Sequence, residues 1–411
     1  MKALVLAGGF PQISLIQELK RRNITVLLAD YNQEPVAKAY ADAFYQVSTL
    51  DVPAIEALAK KEQVNFLITA CTDQALLTVA QVSENLGLPC YIDYQTALNV
   101  TNKAYMKKVF ADNHISTAKH VVMAQLDMSV LADLQYPAIV KPVDCNSSKG
   151  VKKVCNQQEL QTAFDEAVAM SRTQTAIIEE FIQGPEITVD VQVENGQAHV
   201  LSAAYSDKIA DDDKFVIFRT RYPVCEKAAV LEQIRQTAQQ IADSFGLKNS
   251  LMLIQMISNG DRVYVLEFSA RTGGGVKYDL IRRVSGFDVI RAVVDLTLGE
   301  IPHVEVQPPV AKYICNTFIY CKPGIYDRLD GFEELKQSGD LDNYYLFKWQ
   351  GAQMSGVANS GDRIAGFTVQ ANTVEEITEK YDTVIHRIRV LDPDGNDIMR
   401  HDLLTPLFFE S

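Results

Sequence analysis

The first third of the chain alternates short apolar runs with segments whose apolar side chains recur three and four positions apart. "KALVLAG" (2–8) reads as a buried strand and "PQISLIQELKRRN" (11–23) as a helix with proline in its first turn. "ITVLLAD" (24–30) reads as a second strand. "DVPAIEALAKKEQ" (51–63), "NFLITA" (65–70), "QALLTVAQVSENLG" (74–87) and "PCYID" (89–93) continue as helix, strand, helix and strand. This order predicts a parallel sheet covered by helices. From about residue 117 the pattern becomes strand-rich, with "YPAIVKPV", "TAIIEEFI", "EITVDVQV", "QAHVLSAAY", "LMLIQMI" and "RVYVLEF". Turn signals such as Asn195-Gly196 and Asn259-Gly260 predict a mostly antiparallel α+β region. "GEIPHVEVQPPVAKY" (299–313), with three prolines, marks a boundary near residue 306. Beyond it come more short strands and one amphipathic helix, "TVEEITEKYDTVIHRIR" (373–389). The expected organisation is an α/β segment over 1–95, an α+β segment over 96–305 and a strand-rich α+β segment over 306–411.

Composition narrows the function classes. At 411 residues, 47% hydrophobic and 22% charged, the chain has the profile of a soluble globular protein of about two to four domains. Its 52 acids against 39 bases give a net charge of -13, which argues against nucleic acid and anionic membranes as partners. Seven scattered cysteines without a CxxC pair suggest neither a disulfide framework nor a zinc site, and fit a reducing cytoplasm. The apolar run at the N-terminus is too short for a signal peptide and none approaches a membrane span. Gly8-Gly9 with Asp30 mimics a dinucleotide fingerprint, but Phe10 and Pro11 occupy places where that motif needs spaced glycines, which argues against a nicotinamide cofactor.

Candidate chemistry lies where charge interrupts apolar strands. Lys103 falls in the first turn of the helix "NKAYMKKVFADN", where a cation opposes the macrodipole unless an anion binds there. Lys141 ends the strand "AIV" and precedes Pro142 and the small-residue loop "DCNSSKGV". Backbone amides and the Ser147 and Ser148 hydroxyls of that loop can wrap an anion, although a polar hairpin turn reads the same way. "EEFIQGPE" (179–186) is a hinge with free backbone groups and an acid, Glu186, suited to a ribose, or else a solvated acidic turn. "EFSARTGGG" (267–275) places an acid at a strand end, then Arg271, then a bare backbone. Alone it reads equally as a flexible exit loop.

Taken in order, Lys103, "YPAIVKP", "SSKGV", "EEFIQGPE", "IQM" with Gln255 and "LEFSAR" with Glu267 and Arg271 resemble the ATP-grasp superfamily. The likeness extends to D-alanine:D-alanine ligase, carbamoyl-phosphate synthase and the L-amino-acid ligases, and covers most of the chain. It implies a parallel, doubly wound pre-ATP-grasp domain, an ATP-grasp domain with a lid over about 117–182, and a C-terminal strand-rich domain. It also implies ATP and Mg2+, with Mn2+ as an alternative metal. Lys103 and Lys141 would then hold the ATP phosphates, Ser147, Ser148 and Gly150 a mobile lid loop, and Lys208 the γ-phosphate. Glu179, Glu180, Phe181 and Ile182 would bind ATP, the backbone of Glu180 and Ile182 holding the adenine, with Glu186 on the ribose. Gln255 and Glu267 would ligate the metal, and Ser269 stands where the family usually has asparagine, which weakens a second metal site. Arg271 would face the acyl phosphate, while Gly273 and Gly274 would admit the substrate beside the Thr72-Asp73 region. The implied reaction joins a small-molecule carboxylate to an amine, with amino acids as one class, and by analogy the enzyme is a homodimer. A biotin-carboxylase-like use of bicarbonate and a catalytically silent ATP-binding regulator are the alternatives.

One geometric expectation follows. A two-residue turn at Asn259-Gly260 would put Gln255 and Glu267 on opposite faces, so shared ligation predicts a three-residue loop or bulge around 259–261 and an offset of about 7 Å.

Overall fold

The computed structural model describes residues 1–145, 149–209 and 215–409. Strands β1 (Lys2–Leu6), β2 (Thr25–Asp30), β3 (Ala43–Gln46) and β4 (Phe66–Ile68) form a parallel sheet in the order β3-β2-β1-β4. Helices α1 (Phe10–Arg21), α2 (Val52–Glu62) and α3 (Asp73–Leu86) connect or follow these strands, as the alternating pattern predicts. "PCYID" forms no strand. Its residues instead leave the sheet for the middle of the molecule, where the Tyr91 hydroxyl donates to Ala270 O at 3.0 Å and Ile92 joins an apolar cluster with β-strands from beyond residue 186. Asp30 accepts from Gly8 N at 2.6 Å, so the apparent fingerprint acid clamps its own turn.

Helices α4 (Tyr94–Thr101) and α5 (Lys103–Asp112) lead into a four-stranded antiparallel sheet, with Asn102 capping α5 through Ala104 N and Tyr105 N. Its strands are β5 (His120–Met123), β6 (Ala138–Pro142), β7 (Lys152–Val154) and β8 (Ala176–Glu180), in the order β5-β8-β6-β7. Helix α6 (Gln157–Met170) covers it, burying Leu160, Ala163, Phe164 and Ala167 against Val140 and Ile178.

The largest sheet comprises β9 (Glu186–Glu194), β10 (Gln197–Lys208), β11 (Ile217–Tyr222), β12 (Ser250–Ser258), β13 (Val263–Ser269), β14 (Tyr313–Ile319), β17 (Asn343–Leu346) and β19 (Ala365–Ala371). Their order is β13-β12-β9-β10-β11-β14-β19-β17, so the sheet runs unbroken past residue 306. Residues 301–309 form a strandless crossing between α9 (Val289–Thr297), which follows α8 (Lys277–Ser285), and β14. Helix α7 (Ala228–Ser244) packs Val230, Ile234, Ala238 and Ile241 on Ile187, Val189 and Val191 of β9. At the other end α11 (Val374–Arg387) follows α10 (Phe332–Ser338) and buries Ile377, Tyr381 and Val384. Two small ribbons complete the chain: β15 (Gly324–Ile325) with β18 (Gln353–Met354), and β16 (Arg328–Asp330) with β20 (Arg389–Leu391).

Strand β9 carries the feature that positions the site. Ile187, Val189, Val191 and Val193 alternate with Glu186, Thr188, Asp190 and Gln192, and both sets are buried. A buried polar face costs desolvation unless it is paired or faces a ligand.

Candidate active site

The β12–β13 hairpin brings the expected acid and amide together by a route other than the expected one. Ser258 pairs with Val263 across a four-residue loop, and the bulge falls at Leu266 instead of at 259–261. Met256 opposes Val265 whereas Gln255 opposes Glu267, so Leu266 is the extra residue. Gln255 and Glu267 are therefore direct register partners on one face, without the expected offset of two residues.

Around them a narrow cleft of about 110 Å3 lies between the large sheet and β6 and β8. Lys103, Lys141, Glu179, Glu180, Phe181, Ile182, Glu186, Lys208, Gln255 and Glu267 all line it, with Ile139, Val151 and Ile257 as apolar walls. The Ile182 N–H has no hydrogen-bond partner among the described residues, whereas Glu180 N donates to Lys119 O at 3.0 Å. Ser147 and Ser148 lie outside the described residues. Gly150 has φ +72, and a Cβ there would come within 2.9 Å of Pro142 Cγ and Met170 Sδ, so glycine is needed where the loop returns beside Lys141.

The charges in the cleft hold one another. Lys103 Nζ lies 3.0 Å from Glu267 Oε2 and donates to Cys145 O at 2.7 Å. Burial raises the Glu267 carboxyl pKa, but Lys103 and Lys141 outweigh it and the net shift is downward. Glu179 pairs with two buried lysines: Lys141, and Lys107 Nζ at 2.8 Å. Burial pushes Glu179 up, and the two cations overcome it and bring it down to about 2. Glu186 accepts from Gln255 Nε2 at 2.8 Å and pairs with Lys208 at 2.6 Å. That bond commits the Gln255 amide nitrogen and leaves its oxygen as a ligand atom opposite the Glu267 carboxylate. Among the described residues no cluster of three His, Cys, Asp or Glu could hold a metal, so a cation here would need phosphate or water oxygens besides these two.

A second cavity of about 390 Å3 shares Gln255 and Glu267 with the first. Arg271, Gly273 and Gly274 line it, together with Asp73, Lys277, Asn316 and Arg363. The Arg271 guanidinium makes a bidentate pair with Asp73, through Nε–Oδ1 at 2.8 Å and through Nη2–Oδ2. Burial raises the Asp73 carboxyl, yet Arg271, with the Ser269 hydroxyl and Lys103, brings it below its ordinary value. A Cβ on Gly273 would lie 2.8 Å from Lys277 Cγ, whereas one on Gly274 would make ordinary contact with Cys71 O at 3.9 Å. Sequence reasoning missed Lys107, Asp190, Lys277, Asn316 and Arg363. Only Lys107 carried a readable signal, its i+4 spacing from Lys103 on α5.

The family model described as D-ala D-ala ligase C-terminus matches residues 104–271. A formate-dependent phosphoribosylglycinamide formyltransferase from Shewanella frigidimarina is 25% identical over 408 residues, covering 95% of this chain and 96% of that protein. The L-amino acid ligase of Bacillus licheniformis superposes with a TM-score of 0.79 at 19% identity, covering 95% and 98% of the two chains. A biotin carboxylase domain dimer from Hydrogenobacter thermophilus, solved with MgADP, ADP and bicarbonate, gives 0.79 at 16% identity, covering 98% and 92%. The fold is shared with the two solved structures.

Proposed function

We propose that this member of the ATP-grasp superfamily is an ATP-dependent carboxylate–amine ligase that works through an acyl phosphate and releases ADP and phosphate. One observation carries the reading: a lysine-lined slot and a separate polar cavity meet at a single shared wall, Gln255 and Glu267. A nucleotide in the slot directs its terminal phosphate to that wall, and an acid in the cavity approaches from the other side. The reaction then needs positioning and charge stabilisation more than a protein nucleophile.

In this reading the backbone of Glu180 and Ile182 holds adenine and Glu186 the ribose, while Lys103 and Lys141 neutralise the phosphates. Gln255 and Glu267 would hold Mg2+ through two oxygen donors, and the ion would screen the negative charge of the phosphates. The substrate carboxylate oxygen attacks the γ-phosphorus and ADP leaves; the amine then attacks the acyl carbon and expels phosphate. Arg271, held in orientation by Asp73, faces the oxygen that gains charge in the second step. The neighbours support this chemistry through the carboxylate-activating proteins among them, and the MgADP complex supports the nucleotide slot.

Release of ADP that depends on both an added carboxylate and magnesium tests the proposal, with pools of acids and amines as substrates. Glu267→Gln should lower that turnover by about a hundredfold or more, since the carboxylate that would hold the cation is lost. Undiminished turnover in this variant contradicts the assignment.

A further inference from the structure

The floor of the larger cavity is a row of polar side chains in the middle of the large sheet. Ser206 pairs in register with Thr220, Thr220 with Asn316, and Asn316 with Thr368, so the four share one face across four strands. All four are at least nine-tenths buried. Thr368 Oγ1 donates to Asn316 Oδ1 at 2.7 Å, which leaves the amide nitrogen for the cavity. Asn316 Nδ2, Thr220 Oγ1 and Lys277 Nζ are buried without a hydrogen-bond partner among the described residues, and all three residues line this cavity. Each such atom is a desolvation cost to the fold if nothing binds it. Three together at one cavity mark a place built for an acceptor group.

Charge decides which acceptor. Arg271 is paired with Asp73, Glu267 with Lys103, and Lys277 stands 3.9 Å from the buried Asp190. Arg363 remains. Its guanidinium is held by Tyr320 Oη at 3.1 Å and Ile217 O at 3.0 Å and stacks 3.7 Å from the Phe318 ring centroid, but it has no acidic partner among the described residues. The cavity therefore offers one uncompensated positive charge, which matches a carboxylate and falls short of a phosphate monoester near -2. Resting on the ligase reading, we propose that this floor recognises a substrate carboxylate that takes no part in the reaction, through Lys277, Asn316, Thr220 and Arg363, and discriminates against phosphorylated substrates.

The test uses the full chain with MgADP and a defined panel: the proteinogenic amino acids, succinate and malate, the monoamide of each, and O-phosphoserine. Binding is read by calorimetry, and ADP release with MgATP is read in parallel. At least one carboxylate should bind ten-fold or more tightly than its amide and than O-phosphoserine. Asn316→Asp, which keeps the Thr368 bond but points an anion at the ligand, should weaken it at least ten-fold without changing MgADP affinity. Thr220→Val should also weaken it while leaving the thermal midpoint unchanged or raised, because the hydroxyl it removes has no partner. Equal binding of amide or phosphorylated ligands, no binding by any member of the panel, or unchanged affinity in Asn316→Asp overturns the proposal. Carboxylate binding with the predicted variant effects but no ADP release supports the subsite and counts against the ligase reading. ADP release with a substrate lacking a spectator anion does the reverse.

Discussion

Glu179 shows how the surroundings of a side chain decide what its charge does. An acid at the end of an apolar strand looks the same in sequence whether it faces solvent, an adenine or two lysines. Here it neutralises Lys107 and Lys141 in a site where all three are nine-tenths or more buried. Glu179→Gln leaves two cations in that site for one neutral partner, and we expect it to cost about 3–5 kcal/mol of stability by urea unfolding. The same group sets an acid limit. Its folded pKa of about 2 lies below the ordinary carboxylate value of 4.5, so its contribution is fully present above that value. That contribution is lost as pH falls from 4.5 towards 2. The variant should show a flatter decline of stability across this window than the parent; identical curves would mean that the pairing contributes nothing. Lys141, Glu186 and Glu267 were readable because each interrupts an apolar run, whereas Asp190 and Asn316 were hidden in ordinary alternation.

Strand β9 explains that concealment. Alternating apolar and polar residues normally signal one buried and one solvated face, and "EITVDVQV" has that pattern. Its polar face is buried because Lys208 and Ser206 of β10, Gln255 of β12 and Lys277 of α8 lie against it, which periodicity does not encode. The β12–β13 hairpin was legible in the requirement that Gln255 and Glu267 meet, and illegible in where the extra residue sits. Asn259-Gly260 drew attention to the turn, while the bulge at Leu266 sits inside a run of strand formers with no marker of its own. Deleting Leu266 removes the extra residue and should leave Gln255 opposite Glu267, on one face, in a regular ladder. ADP release should stay within about tenfold of the parent, because the pair is kept; a loss of about a hundredfold with native far-ultraviolet circular dichroism would show that the bulge itself, and not the pairing, sets the site. "PCYID" failed as a strand because β4 ends the parallel sheet and Tyr91 finds its partner at Ala270 instead.

Over the whole chain the order of elements was readable and the joining of them was not. Change of texture near residue 306 marks a crossing loop, yet β14, β17 and β19 extend the same sheet that carries Glu186 and Gln255. That continuity lets Asn316 and Arg363 share a cavity with Asp73 and Arg271, residues far apart in sequence. Arg271→Ala should lower kcat more than it weakens ATP binding, because its target charge develops only during reaction. An equal loss in nucleotide affinity, measured by titration, would assign it a binding role only. The transfer of a carboxylate oxygen to phosphate is the step on which the whole mechanism depends. With a substrate acid labelled with oxygen-18 in its carboxylate, mass spectrometry of the products should find one labelled oxygen in the inorganic phosphate released beside ADP. Label in AMP, or phosphate free of label while product forms, would contradict an acyl phosphate.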